Sequence, residues 1–255
     1  MHRDQLMLQL NSWLEPAAVQ DYCPNGLQVE GSATIAKVVT GVTASQALID
    51  QAIAVGADTL LVHHGYFWKG EHEPITGMKR RRIKALLAAN INLVAYHLPL
   101  DVHPEFGNNV ELIKLINGGN SQQPIYPVES VAPRGVLMLS QLNEPCTGNE
   151  LAARLETLLA RPLTASVQNA TTIQRIAVCT GGGQGFIEAA LTAGADAFIT
   201  GEVSEQTIHV ARECGIQFFA AGHHATERYG IKALGNKLAA ECGLDVQFID
   251  IDNPA

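Results

Sequence analysis

The sequence has no apolar run long enough to cross a bilayer, no low-complexity tract, no C-x-x-C pair and no surplus of basic residues. Each absence removes a class of protein. A membrane span needs about 20 consecutive apolar residues. The N-terminal stretch Met1 to Asn11 is broken by charges, with Leu6, Leu10 and Leu14 at helical spacing, so it lacks the continuous core of a secretory signal. The five cysteines (Cys23, Cys146, Cys179, Cys214, Cys242) are odd in number and far apart, which indicates neither a disulfide framework nor a zinc knuckle. Lys and Arg total 17 against 25 Asp and Glu, and the formal charge of −8 has the wrong sign for general phosphate-backbone binding. A nucleophile elbow of the form G-x-S-x-G is also missing. These absences predict a cytoplasmic, reduced protein with no membrane partner and no general nucleic-acid partner.

What is present is a chain of 255 residues, 47% hydrophobic, long enough for one large or two modest α/β domains. It repeats itself. Val38 to His64 and Ile176 to Glu202 both read as strand, turn, helix and strand, closing on V-G-A-D-T-L-L-V-H-H and A-G-A-D-A-F-I-T-G-E. Setting Gly56 on Gly194, an offset of 138, also pairs Gln46 with Gln184, Ile49 with Ile187, Ala52 with Ala190 and Asp58 with Asp196. The short apolar runs suit strands buried on both faces. Leu48, Ile49, Ala52 and Ile53 form a helical stripe, and Gly56 suits the helix end. In both halves a further strand follows, Ile91 to Tyr96 and Ile216 to Ala221, with helices after it, and Leu244 to Ile251 reads as a last strand. The fold class predicted is α/β: two similar domains arising by internal duplication, three-layered, with mostly parallel sheets. The domains are placed at 1–125 and 126–255, joined by a Gly-, Gln-, Ser- and Pro-rich linker over Gly119 to Pro133, with terminal segments free to pack across the boundary.

Ligands gather at the carboxyl ends of parallel strands, and metal-binding residue types stand there. His63 and His64 end one strand, His97 and Asp101 follow the next, and His223, His224 and Glu227 follow the equivalent strand in the second half, where Glu202 takes the position of His64. Counting His103, which reads as a loop residue, six of the nine histidines fall in these segments, too many for scatter. Adjacent strand residues point to opposite sides, so His63 and His64 suit two different ions better than one. His223 and Glu227 share a helix face, and a carboxylate there can bridge two ions about 3.5–4 Å apart. Mixed imidazole and carboxylate ligation suits Zn, Fe, Mn or Ni.

Three other stretches leave alternatives open. Thr180-Gly181-Gly182-Gly183-Gln184-Gly185 is either a tight turn or an anion cradle, and it lacks the Lys-Ser/Thr of a P-loop. Lys79-Arg80-Arg81-Arg82-Ile83-Lys84 is either a solvated helix face or a grip on a phosphorylated ligand. Tyr66-Phe67-Trp68 either walls a pocket or seals a core or subunit contact.

Seven ordered motifs carry a resemblance. Pro24-Asn25-Gly26-Leu27-Gln28-Val29, Gly41-Val42-Thr43, His63-His64-Gly65, His97-Leu98-Pro99-Leu100-Asp101, Gly107-Asn108-Asn109, Thr200-Gly201-Glu202 and Gly222-His223-His224-Ala225-Thr226-Glu227 resemble the family named for type 2 homologues of GTP cyclohydrolase I, also called NIF-like. The similarity is least marked over 121–172. The resemblance implies two similar α/β domains with a dinuclear metal centre between them, and a toroidal homohexamer. It further implies His63 and Asp101 on one ion, His64 and His223 on the other, Glu227 bridging, and His97 close by as a ligand or acid/base group. Longer members carry an extra mid-chain domain that this sequence lacks.

Two functional classes follow. One is a metal-dependent hydrolase of a nucleotide-like or other heterocyclic small molecule, with His97 or His224 shuttling protons. The other is a non-enzymatic, metal-dependent assembly serving as scaffold, regulator or metal handler. A nucleic-acid accessory role is a weaker third, opposed by the acidic charge.

Overall fold

The computed structural model describes residues 1–119 and 122–255. The linker read over 119–133 includes residues 120 and 121, which lie outside the described residues. The chain divides into two compact units. One comprises Met1–Leu100 and Ile231–Asp252, the other Asp101–Gly230 and Asn253–Ala255.

The strands in chain order are β1 (Gly26–Val29), β2 (Lys37–Thr43), β3 (Thr59–His64), β4 (Asn92–Ala95), β5 (Tyr126–Pro127) and β6 (Met138–Cys146). They continue with β7 (Ala165–Val167), β8 (Ile173–Cys179), β9 (Ala197–Thr200), β10 (Gln217–Ala220) and β11 (Asp245–Phe248). In the first unit the sheet order is β1-β4-β3-β2-β11, parallel throughout except for β1. In the second the order is β5-β6-β8-β9-β10-β7, with β8, β9 and β10 parallel and antiparallel strands on either side. The mixed α/β architecture with two sheets is the one read from the sequence. The antiparallel flanks of the second sheet lie in the stretch where the repeat gives no signal.

The repeat has a physical basis that both units display separately. Helix Gln46–Ala54 ends at Gly56 (φ +69°), with Ala57 N donating to Ala52 O; Gly194 (φ +77°) and Ala195 N to Ala190 O repeat that ending. A left-handed residue there satisfies the last carbonyls, and glycine adopts it without steric cost. The aspartate two residues on holds the neighbouring strand. Asp58 Oδ2 accepts from Ala36 N and Lys37 N, both at 2.8 Å. Asp196 Oδ2 accepts from Gln174 N and Arg175 N at 2.9 and 2.7 Å. The shared G-A-D is thus structural. The offset of 138 holds as far as β9, then falls to 125 between Asn92 of β4 and Gln217 of β10, because the first unit has a longer excursion after His64.

Burial explains why these strands read as unbroken apolar runs. Ile176, Val178, Ile199 and Phe219 belong to one apolar cluster of the second unit, and Ala177, Cys179, Phe198 and Phe218 to another. Alternate residues of one strand therefore face opposite cores. In the first unit Leu60 and Val62 are as completely buried as Leu61 between them. Leu6, Leu10 and Leu14 of helix Arg3–Leu14 are buried, as their spacing predicts.

Helix Gly148–Leu159, in the least marked stretch, begins with a capping box. Thr147 Oγ1 accepts from Glu150 N at 3.3 Å, and Glu150 Oε2 accepts from Thr147 N at 2.7 Å. Thr147→Ala is expected to lower stability by about 1 kcal/mol, read as a lower urea midpoint with an unchanged slope. No shift in the midpoint would mean that the cap contributes nothing. Among the described residues no helix is long and apolar enough to cross a membrane.

Candidate functional site

The first unit brings three imidazoles together at the carboxyl ends of β3 and β4. The candidate ligand atoms of His63, His64 and His97 all lie within 4.8 Å of one another. His63 and His97 are buried, and His64 is half-buried. The rings of His63 and His64 are 4.5 Å apart, closer than strict alternation along a strand suggests. Each is tethered toward a different neighbouring strand. His63 Nδ1 donates to the Tyr96 carbonyl just past β4 at 3.0 Å, while His64 Nδ1 and Thr43 Oγ1 of β2 are 3.2 Å apart. A carbonyl can only accept, so His63 Nδ1 carries a hydrogen.

His97 is held by a residue to which the sequence reading gave no role. Its Nδ1 donates to Asp21 Oδ1 at 3.0 Å, and its backbone N donates to Asn25 Oδ1 at 2.8 Å. Burial works to raise the Asp21 carboxyl. The hydrogen bonds from His97 and Asn25, the attraction of His97 and the Leu98 N–H outweigh it and hold the group well below the usual carboxylate range. Tyr22 and Trp68 stand edge-on to the His97 ring, with centroids 5.0 and 4.9 Å away.

The second unit gathers carboxylates around one imidazole. His223 Nδ1 lies 2.7 Å from Glu202 Oε1, and its Nε2 lies 3.3 Å from Glu227 Oε2. Burial pulls the His223 pKa down, but the two carboxylates, Glu227 foremost, raise it to about 9. Asp101 and Glu227 are both buried. Asp101 Oδ1 accepts from Asn108 Nδ2 at 2.8 Å. The Cys179 thiol, already pushed up by burial, is raised further by the charges of Asp101 and of Glu227. His224 is buried in the short helix His223–Thr226 and belongs to none of the three-donor groups found among the described residues.

The donor chemistry fits divalent ions. His63, His64, His97 and His223 are each engaged through Nδ1, by a carbonyl, a hydroxyl and two carboxylates. That is the outer-shell arrangement that fixes ring orientation in metal-binding histidines. The imidazole and carboxylate donors suit borderline to hard ions, and one group, Asp21, Cys23 and His97, adds a thiol within 4.8 Å of its other donors.

The glycine loop is a tight turn. Gly181 N donates to Thr226 Oγ1 at 3.0 Å and Gly183 N to Thr200 Oγ1 at 3.2 Å, so these amides are already used. The loop's small size serves the donors, since a Cβ on Gly181 would overlap Glu227 Oε1. Gly201 occupies the repeat position of His63 because a Cβ there would sit 2.6 Å from Gly181 O and 2.7 Å from His223 Cα. The basic run splits. Lys79 pairs with Glu71 at 3.3 Å and lies 4.8 Å over the Phe67 ring, while Arg80, Arg81 and Lys84 are exposed. The aromatic triplet also divides. Tyr66 is core, its hydroxyl donating to Ala44 O at 2.7 Å; Phe67 is exposed; Trp68 lies against His64 and His97. His103 caps backbone amides of its own loop, accepting from Glu105 N and Phe106 N, and stacks on Phe106. What marks Asp21 and Glu202 is a partner fixed only by folding, a signal that sequence inspection lacks.

A family model described as Duf34/NIF3 (NGG1p interacting factor 3) matches residues 1–254. The chain is 56% identical over 256 residues to a Haemophilus influenzae protein and 54% identical over 256 residues to one from Escherichia coli K12. Both are called GTP cyclohydrolase 1 type 2 homolog, and 100% of each chain is covered. Among solved structures it is similar to protein ybgI, described as of unknown function, at a TM-score of 0.93 and 52% identity over 100% of both chains. TTHA1606 from Thermus thermophilus is similar at a TM-score of 0.87 and 34% identity, again over 100% of both chains.

Proposed function

Because the chain belongs to the Duf34/NIF3 family, we propose that it is a dinuclear metal-dependent hydrolase acting on a nucleotide-like or other heterocyclic small molecule. The observation that carries this reading is the set of four histidines engaged at Nδ1, three of them with ligand atoms within 4.8 Å of one another and the fourth flanked by Glu202 and Glu227. In this proposal His63 and Asp101 hold one divalent ion, His64 and His223 hold the other, and Glu227 bridges. Zn, Fe, Mn and Ni all suit such donors. Two such ions, when bound, supply Lewis acidity and lower the pKa of water. His97 and His224 are the proton-transfer groups. Trp68 packs beside His64 and His97. The protein acts in the cytoplasm as a toroidal homohexamer on a small molecule, without a nucleic-acid or membrane partner.

Elemental analysis of the purified chain tests the ligand set. About two ions per chain are expected. His63→Ala and His64→Ala should each lose chiefly one, and Glu227→Ala should lose both. A wild-type protein that holds little metal even after reconstitution would make these clusters structural and end the hydrolase reading. Two ions with no turnover across a panel of nucleotides and cyclic amides would turn the assignment toward a metal-dependent scaffold.

A further inference from the structure

His97 lies beside His63 and His64 but is not among the proposed ligands, and what holds it is a buried carboxylate 76 residues earlier in the chain. We propose that Asp21 is the positioning residue of an Asp21–His97 dyad, fixing the imidazole with its hydrogen on Nδ1 and Nε2 as the working atom. The use of Nε2 in proton transfer rests on the hydrolase reading; the positioning does not.

Five N–H groups converge on Asp21. Oδ1 accepts from Tyr22 N at 2.6 Å, Cys23 N at 3.3 Å and His97 Nδ1 at 3.0 Å. Oδ2 accepts from Asn25 Nδ2 at 3.0 Å and Leu98 N at 2.9 Å. Four of these partners, the backbone amides of Tyr22, Cys23 and Leu98 and the Asn25 Nδ2 group, can only donate, and an ionised carboxylate satisfies them where an acid would set hydrogen against hydrogen. Asp21 therefore cannot donate to the ring, and the shared hydrogen must be the imidazole's. A neutral His97 then carries its lone pair on Nε2.

The ring is also fixed in direction. Asn25 Oδ1 anchors its backbone N at 2.8 Å. Tyr22 and Trp68 meet the ring at 75° and 81°, closing off rotation from two sides. Side-chain exposures of 3% for Asp21 and 6% for His97 make this a buried pair. Such a pair stabilises a fold no better than apolar residues of similar size and often less well. Packing alone does not account for five donors arranged around one carboxylate; preorganisation of a working imidazole does.

The second unit supports the same reading by a different route. His223 follows β10 as His97 follows β4, and its Nδ1 also meets a carboxylate, Glu202. There the carboxylate comes from the loop after β9, whereas Asp21 comes from the segment before the repeat begins. One device is built twice from unrelated parts of the chain. In the proposed hydrolysis, His97 Nε2 takes a proton from the attacking water and returns it to the leaving nitrogen or oxygen, so the protein gains and loses none.

Nitrogen-15 NMR of the full-length, zinc-loaded protein labelled at histidine tests the dyad, with His97 assigned by His97→Gln. A hydrogen on Nδ1 of His97, shared with Asp21, is expected. Asp21→Asn should populate the Nε2–H tautomer while metal content stays at the wild-type level. A wild-type His97 with no hydrogen on Nδ1 overturns the proposal, and so does an Asp21→Asn spectrum unchanged at His97. Should Asp21→Asn fail to fold, the wild-type spectrum alone decides. On any substrate the panel finds, Asp21→Asn should lower kcat by about 10²–10⁴-fold with little change in KM. Absence of turnover in the wild type would refute the hydrolase reading and leave the tautomer result standing.

Discussion

Substituting Gly181 with alanine is expected to be among the most damaging single-methyl changes in the chain. Two costs add. Gly181 has φ +64°, where an L-residue with a Cβ costs about 1–2 kcal/mol. The new Cβ would also overlap Glu227 Oε1, with His223 Nε2 3.2 Å away. Overpacking of this kind costs about 1–3 kcal/mol. Glu227 has little room to retreat, being buried at 3% exposure at the end of a short helix whose Thr226 hydroxyl is tied to Gly181 N. A loss of about 2–4 kcal/mol is therefore expected, read as a lower urea midpoint at constant slope. In the proposed centre the same change displaces the bridging carboxylate, so metal content should fall with stability. Gly185 in the same loop is the control, since nothing lies within 4 Å of its would-be Cβ and its φ is not left-handed. Gly185→Ala should be neutral or stabilise by up to about 1 kcal/mol. Equal effects at the two positions would refute the argument from contact with Glu227.

The contrast between these two glycines shows how far the sequence can be read. Glycine richness marks a turn, but which glycine is pressed against Glu227 depends on the approach of Thr226 and His223, more than 40 residues away. The repeat was legible because each unit solves the same local problem in the same way. Gly56 and Gly194 end a helix, and Asp58 and Asp196 hold the neighbouring strand. The central strands were legible because two-sided burial leaves continuous apolar runs. β6 was not, because its burial alternates and it carries Gln141, Asn143 and Glu144 between buried positions. The histidines announced themselves by standing at strand ends. Asp21 did not, because its role is defined by His97 on a distant segment, and an isolated aspartate before Tyr22-Cys23-Pro24 has no periodicity to betray it. Glu202 was placed at the repeat position of His64, but its pairing with His223 needed the fold.

His223 should couple folding and metal uptake to pH with opposite signs. Its pKa in the folded chain is about 9 against an ordinary 6.5, because Glu227 and Glu202 favour the imidazolium more than burial disfavours it. A group whose pKa rises on folding binds its proton more tightly in the folded state. The resulting stabilisation is complete below pH 6.5 and disappears as pH climbs through about 9. In metal-free protein, the stability difference between wild type and His223→Gln should therefore shrink across that window. Metal binding runs the other way. Glu202 occupies Nδ1, so an ion must take Nε2, which the proton holds until about pH 9. Displacing one proton makes apparent affinity rise about tenfold per pH unit below that pKa. Manganese titrations between pH 6.5 and 8.5 should show that slope in the wild type and a shallower one in His223→Gln. Glu202→Gln removes one of the two charges that retain the proton, so both transitions should move to lower pH. A stability difference that ignores pH would mean that His223 is not protonated as its two carboxylates require. A flat metal affinity in the wild type would mean that the ion does not compete for Nε2, and His223 would leave the ligand set.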